Sequence, residues 1–385
     1  MEYTRRNHRT PLILSLMALL SMAGCSTLGF FQSKHQYAYV ANWSTVSAYR
    51  INASTGALMP VPGSPFAAGI LPSSVMVNPA GTFVYVTNSD SSTVSAYSIN
   101  ASSGTLTPVP GSPFASGPYP ASVTINPAGT FAYVATGLPG EVGSIWVYRI
   151  DASSGALAQV HGSPFAAGKN PNSIAVHPAG SFAYVANSIS SNVSAYSINA
   201  STGALTPVLG SPFASGRIPE SVTLDPAGRF VYVASLINLY RPGGISVYRI
   251  NAATGALTEI PGSPFAAGEA PVSIAVNHTG SFAYVANQYT GDTGHNGTIS
   301  SYHINAATGA LTEIPGSPFT AGIEPASITL NPAGTLAYVA NQGNFGHKGS
   351  ISAYRINAAT GALTPVAGSP FTFGTKPDFI TIVQP

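Results

Sequence analysis

The chain is poor in charge, in cysteine and in long apolar segments. Only 7% of its 385 residues are charged, and Cys25 is its one cysteine. Disulfide frameworks and thiolate-ligated metal sites need several cysteines, so both are excluded. The apolar run from Leu12 to Met22 is shorter than the roughly 20 residues of a membrane-spanning helix. Glycine and proline are plentiful, with 40 and 32 residues, and they separate short β-type segments.

An excess of positive charge is also missing. Beyond Cys25 the chain has eleven basic and eleven acidic residues, because three arginines and one glutamate precede that cysteine. Nucleic-acid binding needs clustered cations, so we expect no nucleic-acid partner. Walker loops, nucleophile elbows, zinc-protease helices and dinucleotide-binding glycine turns are absent from the sequence. We therefore expect no cofactor.

One motif occurs seven times and indicates a repeat array. Gly-Ser-Pro-Phe begins at seven glycines, with spacings of 48, 51, 48, 52, 54 and 52 residues: Gly63, Gly111, Gly162, Gly210, Gly262, Gly316 and Gly368. Each repeat contains four short segments rich in β-branched and aromatic residues, separated by turn residues. In the third repeat these segments are 122–126, 131–136, 144–150 and 156–160. This pattern predicts an all-β, seven-bladed β-propeller with four antiparallel strands per blade, a to d from axis to rim.

The two ends of the chain are predicted to complete one blade. The first repeat opens on a b-type segment, Tyr37 to Asn42, without an a strand before it. The missing a-type segment, Asp378 to Val383, follows the last repeat. We expect the last strand to pair with the first b strand and close the ring without a free edge. The predicted domains are a signal peptide at 1–25, a tether at 26–36 and the propeller at 37–385.

The N-terminus resembles a bacterial lipoprotein signal. Arg5, Arg6 and Arg9 precede the apolar run, which ends in Ala23-Gly24-Cys25. We expect Cys25 to be lipidated and to anchor an exported protein, a monomer, to the cell envelope. Ser26 after the cysteine is typical of sorting to the outer membrane. A plain secretory signal that happens to contain a cysteine is the alternative.

The few charged residues concentrate at one face of the predicted ring. The connections between blades carry seven of them around a recurring proline: Lys169, Arg217, Glu220, Glu269, Glu324, Lys376 and Asp378. The b-to-c loops open on the same face and add Asp90, Glu141, Arg241, Asp292 and Lys348, together with the histidines His295 and His347. This face surrounds the mouth of the central channel, where we expect ligand binding. Exposed loops carry charge in any protein, so solvation alone is the alternative explanation.

His295 and His347 occupy matching loops of adjacent blades. Two imidazoles can ligate a metal or act as a general base. No dense ligand spacing accompanies them, and shared ancestry of the two loops explains their positions. We therefore predict no metal site.

The repeat unit Pro-x-Ser-Val/Ile-x-x-Asn-Pro-Ala-Gly, followed by Tyr-Val-x-Asn, resembles the lactonase-type seven-bladed propellers. That family includes 6-phosphogluconolactonases and carboxymuconate-lactonising enzymes, and Tyr85-Val86-Thr87-Asn88 matches the related YVTN repeat. The resemblance covers residues 37 to 385. It implies a mouth containing histidine and arginine, often with Pro-x-His where strand a begins, but that position is serine or phenylalanine in every repeat of this chain. Arg217, Glu220 and Lys169 are then the candidates for holding an anionic sugar or opening a lactone.

Two functions remain open on the sequence. The first is a lipid-anchored extracytoplasmic propeller that binds an envelope protein, a glycan or a small ligand without catalysis. The alternative is a lactonase or lactonising enzyme, with Arg217 and Glu220 as candidate catalytic residues.

Overall fold

The computed structural model describes residues 35–236, 242–288, 296–344, 348–372 and 376–385. All regular structure in these ranges is β-strand. The described residues contain no helix that is long and apolar enough to cross a membrane. One compact unit spans Lys34–Pro385.

The strands form seven sheets, one per blade, and are numbered in chain order. Blade 1 has β1 (Gln36–Ala41), β2 (Thr45–Ile51), β3 (Leu58–Pro60) and β4 (Phe66–Ala67). Blade 2 has β5 (Pro72–Val77), β6 (Phe83–Asn88), β7 (Thr93–Ile99), β8 (Leu106–Pro108) and β9 (Phe114–Ala115). Blade 3 has β10 (Pro120–Ile125), β11 (Phe131–Thr136), β12 (Val142–Ile150), β13 (Leu157–Gln159) and β14 (Phe165–Lys169). Blade 4 has β15 (Pro171–Val176), β16 (Phe182–Asn187), β17 (Asn192–Ile198), β18 (Leu205–Pro207) and β19 (Phe213–Ala214). Blade 5 has β20 (Pro219–Leu224), β21 (Phe230–Ser235), β22 (Pro242–Ile250), β23 (Leu257–Glu259) and β24 (Phe265–Glu269). Blade 6 has β25 (Pro271–Val276), β26 (Phe282–Asn287), β27 (Asn296–Ile304), β28 (Leu311–Glu313) and β29 (Phe319–Ile323). Blade 7 has β30 (Pro325–Leu330), β31 (Leu336–Asn341), β32 (Ser350–Ile356), β33 (Leu363–Pro365) and β34 (Phe371–Thr372), and the chain ends with β35 (Phe379–Val383).

The predicted seven-bladed propeller is confirmed, with an outermost strand that is interrupted in every blade. Each sheet has the order a, b, c, d, and a further short segment pairs with c beside d. In blade 2, the last residues of β7 pair with β8 and its first two residues pair with β9. The outer strand d is therefore completed by a second segment, which we call e.

The Gly-Ser-Pro-Phe motif bridges this interruption. Its serine accepts a hydrogen bond from the backbone N–H of strand c that faces the break, as Ser64 Oγ does from Ala48 N at 2.9 Å. The same bond recurs in all seven blades. The Ser–Pro bond is cis in each copy. The motif is thus a structural connector that satisfies an otherwise unpaired backbone donor.

Polar side chains fix the turns between strands. In the a-to-b turn of blade 2, Asn78 Oδ1 accepts hydrogen bonds from the backbone N–H groups of Thr82 and Phe83 at 2.8 and 2.9 Å. In the c-to-d turn of blade 1, Asn52 Oδ1 accepts from Ser54 and Thr55 at 3.0 Å. Asparagine favours turns because its side chain can bond to nearby backbone in this way.

Aromatic side chains join each blade to the next. Gly104, in the c-to-d turn of blade 2, has a φ of 76° and lies against the Tyr37 ring of blade 1, where a Cβ would come within 2.3 Å. Each b strand also has a buried tyrosine at one equivalent position, and six of these seven donate to the carbonyl of such a glycine in the following blade, at 2.8–3.3 Å: Tyr39, Tyr85, Tyr184, Tyr232, Tyr284 and Tyr338. The seventh, Tyr133, has a buried hydroxyl without a hydrogen-bond partner among the described residues.

The ring closes as predicted. β35 pairs antiparallel with β1 from Phe379↔Ala41 to Val383↔Tyr37, so blade 1 contains both ends of the propeller. The chain enters β1 at Gln36, which pairs with Ile51 at the end of β2. That end lies on the face of the c-to-d turns, opposite the face of the b-to-c loops and the blade connections.

Candidate functional site

The first residues of the innermost strands are directed into the channel by a β-bulge. In blades 2 to 7 the pairing of strand a with strand b shifts by one residue directly after the proline that opens strand a. Asp378 holds the same position in blade 1, just before β35. A bulge re-aims a side chain and is common next to functional sites. Seven side chains consequently surround the channel mouth: Ser73, Ala121, Asn172, Glu220, Val272, Ala326 and Asp378.

Left-handed backbone precedes each of these prolines. The seven residues concerned have φ between 39° and 53°: Leu71, Tyr119, Asn170, Ile218, Ala270, Glu324 and Lys376. This conformation is uncommon for residues other than glycine, and most unusual for a β-branched residue such as Ile218. The carbonyl of Ala270 accepts a hydrogen bond from the Gln288 N–H at 3.0 Å, and that of Glu324 accepts from the Gln342 N–H at 2.8 Å. These bonds hold the residue that follows strand b, Gln288 in blade 6 and Gln342 in blade 7, against the connection that leads into strand a of the same blade.

The seven innermost strands enclose a central cavity of about 630 Å³. It extends from the ring of bulged residues to Asp225 and Pro226 in the a-to-b turn of blade 5. Small-molecule sites have volumes of about 300–1,000 Å³, so this cavity suits a ligand of sugar size.

Glu220 lies at the cavity mouth in a chain of side-chain hydrogen bonds. Asn172 Nδ2 donates to Glu220 Oε2 at 2.6 Å. Asn170 Nδ2 in turn donates to Asn172 Oδ1 at 3.1 Å and to Ser188 Oγ at 2.7 Å, which fixes the orientation of the Asn172 amide. Burial raises the pKa of the Glu220 carboxyl above its usual range, partly offset by the Asn172 hydrogen bond.

Asp378 is the second carboxyl group at the mouth. Burial raises its pKa to about 6, against the opposing effects of a hydrogen bond from Gln342 Nε2 and the charge of Lys376. Its backbone N–H donates to the Ala41 carbonyl at 2.8 Å, which fixes the residue to strand β1. A carboxyl with a pKa near 6 can exchange protons close to neutral pH, as a general base or acid must.

Two glutamines complete the mouth in blades 6 and 7. Gln288 and Gln342 follow strand b and line the cavity above Val272 and Ala326. Gln342 is bonded to Asp378, whereas the Gln288 side chain has no hydrogen-bond partner among the described residues. The Gln288 side chain thus lines the cavity without a bond to any other described residue, where a ligand can bond to its amide.

A smaller pocket of about 100 Å³ adjoins the mouth between blades 1, 2 and 7. It shares Gln342 and Asp378 with the mouth and is otherwise lined by residues that include Trp43, Leu71 and Lys376. The Trp43 side chain is 52% exposed, and Lys376 Nζ lies 5.9 Å from the centre of its ring. An exposed aromatic ring of this kind offers a flat apolar surface beside the polar mouth.

The structure brings together only part of the predicted site. Glu220 and Asp378 line the central cavity, and Lys376 lines the adjoining pocket. Lys169 and Arg217 are exposed and do not line either one.

Glu269 and Glu324 are half-buried, and neither lines the two pockets. One carboxylate oxygen of Glu269 is buried without a hydrogen-bond partner among the described residues. Arg241, His295 and His347 lie outside the described residues, as does Cys25. Within the described ranges, no three histidine, cysteine or acidic side chains form a group that could hold a metal ion.

The mouth also contains three uncharged residues, Asn172, Gln288 and Gln342, which the distribution of charge in the sequence does not reveal. Their positions within the repeats nevertheless indicate them. Asn172 shares its position with Glu220 and Asp378, and the two glutamines replace the small or apolar residues that follow strand b in other blades.

The fold and the cavity mouth define a class: a closed seven-bladed β-propeller with a polar site on its axis. The model of the family described as "Lactonase, 7-bladed beta-propeller" matches the chain at residues 30–119, 109–217, 209–293 and 265–379. The chain belongs to this family. No curated protein matches it significantly in sequence.

Solved structures of similar fold include three with lactonase names. A candidate 6-phosphogluconolactonase of Bacteroides uniformis is 19% identical with a TM-score of 0.73, over 91% of this chain and 100% of that one. A second, from Bacteroides fragilis, is 21% identical with a TM-score of 0.72, over 92% and 99%. The periplasmic gluconolactonase of Pseudomonas aeruginosa is 17% identical with a TM-score of 0.70, over 91% and 100%. At these identities the likeness concerns the fold.

Proposed function

We propose that the protein is a lactone hydrolase whose active site is the mouth of the central cavity. The observation that carries the proposal is the placement of two carboxyl groups of raised pKa, Glu220 and Asp378, at the mouth of a lactonase-family propeller. Three neighbours in fold bear gluconolactonase or 6-phosphogluconolactonase names, which supports the same reaction class. Sugar lactones are accordingly the proposed substrates.

Lactone hydrolysis needs a base, an oxyanion partner and a proton for the leaving oxygen. Asp378, ionised above pH about 6, takes a proton from the attacking water. The water oxygen bonds to the carbonyl carbon, and the Gln288 amide, which lines the cavity, donates to the oxygen that becomes negative. The ring C–O bond then breaks, and the Glu220 carboxyl in its protonated form supplies the proton to the departing ring oxygen. The product is an open hydroxy acid.

Binding without catalysis is the second candidate function. It is favoured by one observation: the described residues that line the cavity include no histidine, lysine or arginine. A mouth built from carboxylates and amides can hold a glycan or small ligand through its hydroxyl groups alone.

We also propose that the protein is exported and held in the bacterial envelope by a lipid on Cys25. The basic start, the apolar run and Ala23-Gly24-Cys25 support this. Gln36, where β1 begins, lies on the face opposite the mouth. A Cys25→Ser variant should move from the detergent phase to the aqueous phase in a phase-partition assay, and unchanged partition would contradict the anchor.

The enzymatic proposal is tested by lactone hydrolysis with purified residues 34–385. Sugar and muconate lactones are followed in a pH-stat against the spontaneous rate. We expect turnover of a sugar lactone that is lost in Asp378→Asn and retained in Glu313→Gln, an exposed carboxylate on the rim strand β28. No turnover above the spontaneous rate for any lactone would contradict the proposal and leave ligand binding as the function.

A further inference from the structure

The polar side chains of the mouth are grouped on one side of the ring. They come from consecutive blades, 4, 5, 6, 7 and 1, as Asn172, Glu220, Gln288, Gln342 and Asp378. We call these five residues the polar arc. The two remaining blades contribute Ala121 and Ser73, and the Ser73 hydroxyl donates to the Pro120 carbonyl at 2.6 Å. The side chains available to a ligand at the mouth are therefore those of the arc.

The arc combines two carboxyl groups with three amides. Carboxylates accept hydrogen bonds, and each amide both donates and accepts. A ligand that matches this set must present several groups that can donate and accept at short intervals. Hydroxyl groups do so, and a chain or ring with a hydroxyl on most carbons does so repeatedly.

The charge of the arc disfavours an anionic ligand. Glu220 and Asp378 face the cavity at its mouth, and Asp225 lies at its other end in an ion pair with Arg229. None of the described residues that line the cavity is basic. Lys376 lies in the adjoining pocket beside the Trp43 ring and next to Asp378. Its charge is thus placed where it offsets that of Asp378. Like charges in a partly enclosed site repel over several ångströms, so a phosphate in the cavity would be destabilised.

We infer that the polar arc selects an uncharged, polyhydroxylated lactone and discriminates against its phosphorylated form. This inference deepens the proposed function and rests on it for the claim that the ligand is a lactone. The binding preference itself, for a neutral polyol over its phosphate, depends only on the arc. Gln288 and Gln342 are the specificity-determining residues, since they add hydrogen-bonding capacity without adding charge.

The binding preference is measured with probes that are not hydrolysed. Isothermal titration of residues 34–385 uses 1,5-anhydroglucitol as the neutral polyol and its 6-phosphate as the anionic counterpart. We expect the neutral compound to bind at least about tenfold more tightly at pH 7.5, where Asp378 is ionised. Equal or tighter binding of the phosphate, or no binding of the polyol, would overturn the inference.

Variants of the arc locate the preference. Gln288→Glu adds a third carboxylate to the arc and should increase the ratio of the two dissociation constants, phosphate over neutral polyol. Gln288→Leu should weaken the binding of the neutral polyol by about fivefold or more. The double variant Glu220→Gln/Asp378→Asn should decrease this ratio. Glu313→Gln is the matched control. Thermal melts confirm folding for each variant. If the ratio of the two dissociation constants is the same in Gln288→Glu as in the parent protein, the arc does not set the preference.

Hydrolysis assays separate this inference from the proposed function. If a neutral lactone and its phosphate are hydrolysed with equal kcat/KM, the enzyme function holds and the inference fails. If the polyol binds with the expected preference but no lactone is hydrolysed, the inference holds and the enzyme function fails.

Discussion

Asp378 is a residue whose burial has consequences for both stability and chemistry. Its carboxyl is removed from water beside Gln342, and its pKa rises from 3.8 to about 6. The folded protein therefore retains a proton that the unfolded chain releases between these two values. By linkage, the free energy of unfolding falls as the pH rises from about 4 to 6, and the loss persists at higher pH.

We predict that Asp378→Asn stabilises the protein at neutral pH. The amide cannot ionise, so the variant should gain about 1–3 kcal/mol at pH 7 and nothing near pH 3.5. Urea unfolding of the variant and its parent at the two pH values measures this difference. An equal change in the free energy of unfolding at both pH values would show that the Asp378 carboxyl does not titrate as the structure implies. Glu313→Gln, which removes an exposed carboxylate, is the control.

At the scale of the element, the strand-b tyrosines provide a matched pair of sites. Tyr184 and Tyr133 occupy the same position in adjacent blades and are both fully buried. The Tyr184 hydroxyl donates to the Gly255 carbonyl at 3.0 Å, whereas the Tyr133 hydroxyl has no partner among the described residues. The two residues differ in the hydrogen bond to the next blade and in little else.

We therefore predict that Tyr184→Phe costs about 1 kcal/mol and that Tyr133→Phe is neutral or slightly stabilising. Removal of the first hydroxyl leaves a buried carbonyl unpaired, while removal of the second relieves an unpaired buried group. Denaturant unfolding of both variants tests the comparison. Equal destabilisation would mean that the bond between blades contributes nothing measurable.

The elements also show where prediction from sequence succeeds and where it stops. Turn residues such as Asn78 and the alternation of apolar residues are local signals, and they predict the strands correctly. The direction of Asn172 is not local information, because it depends on a bulge in the pairing of β15 with β16. The interrupted outer strand depends in the same way on a hydrogen bond across the sheet, from Ala195 N to Ser211 Oγ.

At the scale of the whole molecule, the repeat count alone predicts ring closure. Seven c-to-d turns and six a-to-b turns leave one strand a to be supplied by the C-terminus, and β35 supplies it. The polar arc is a property of the whole ring too, since its members come from five blades. It could be found only after the position of each repeat around the axis was fixed.

We predict that deletion of residues 378–385 destabilises the ring as a whole. The deletion removes β35, including Ile380 at 1% exposure and Val383 at 8%, and it leaves β1 without its inner neighbour. Loss of two buried aliphatic side chains lowers the free energy of unfolding by about 3–6 kcal/mol. Loss of the strand pairing adds to this destabilisation. Circular dichroism melts should show loss of the cooperative transition. Deletion of residues 384–385, which lie outside the strand, is the control, and an unchanged melt of the longer deletion would refute closure by β35.

The most direct test of a catalytic cavity mouth is the pH dependence of kcat/KM for a sugar lactone, corrected for spontaneous hydrolysis. We expect a rise with pH through an inflection near 6, since ionised Asp378 is the base, and a fall at higher pH where Glu220, the proton donor, ionises. We also expect a loss of about 100-fold or more in Asp378→Asn. A variant that retains the kcat/KM and pH profile of the parent protein would contradict catalysis by Asp378 at the mouth.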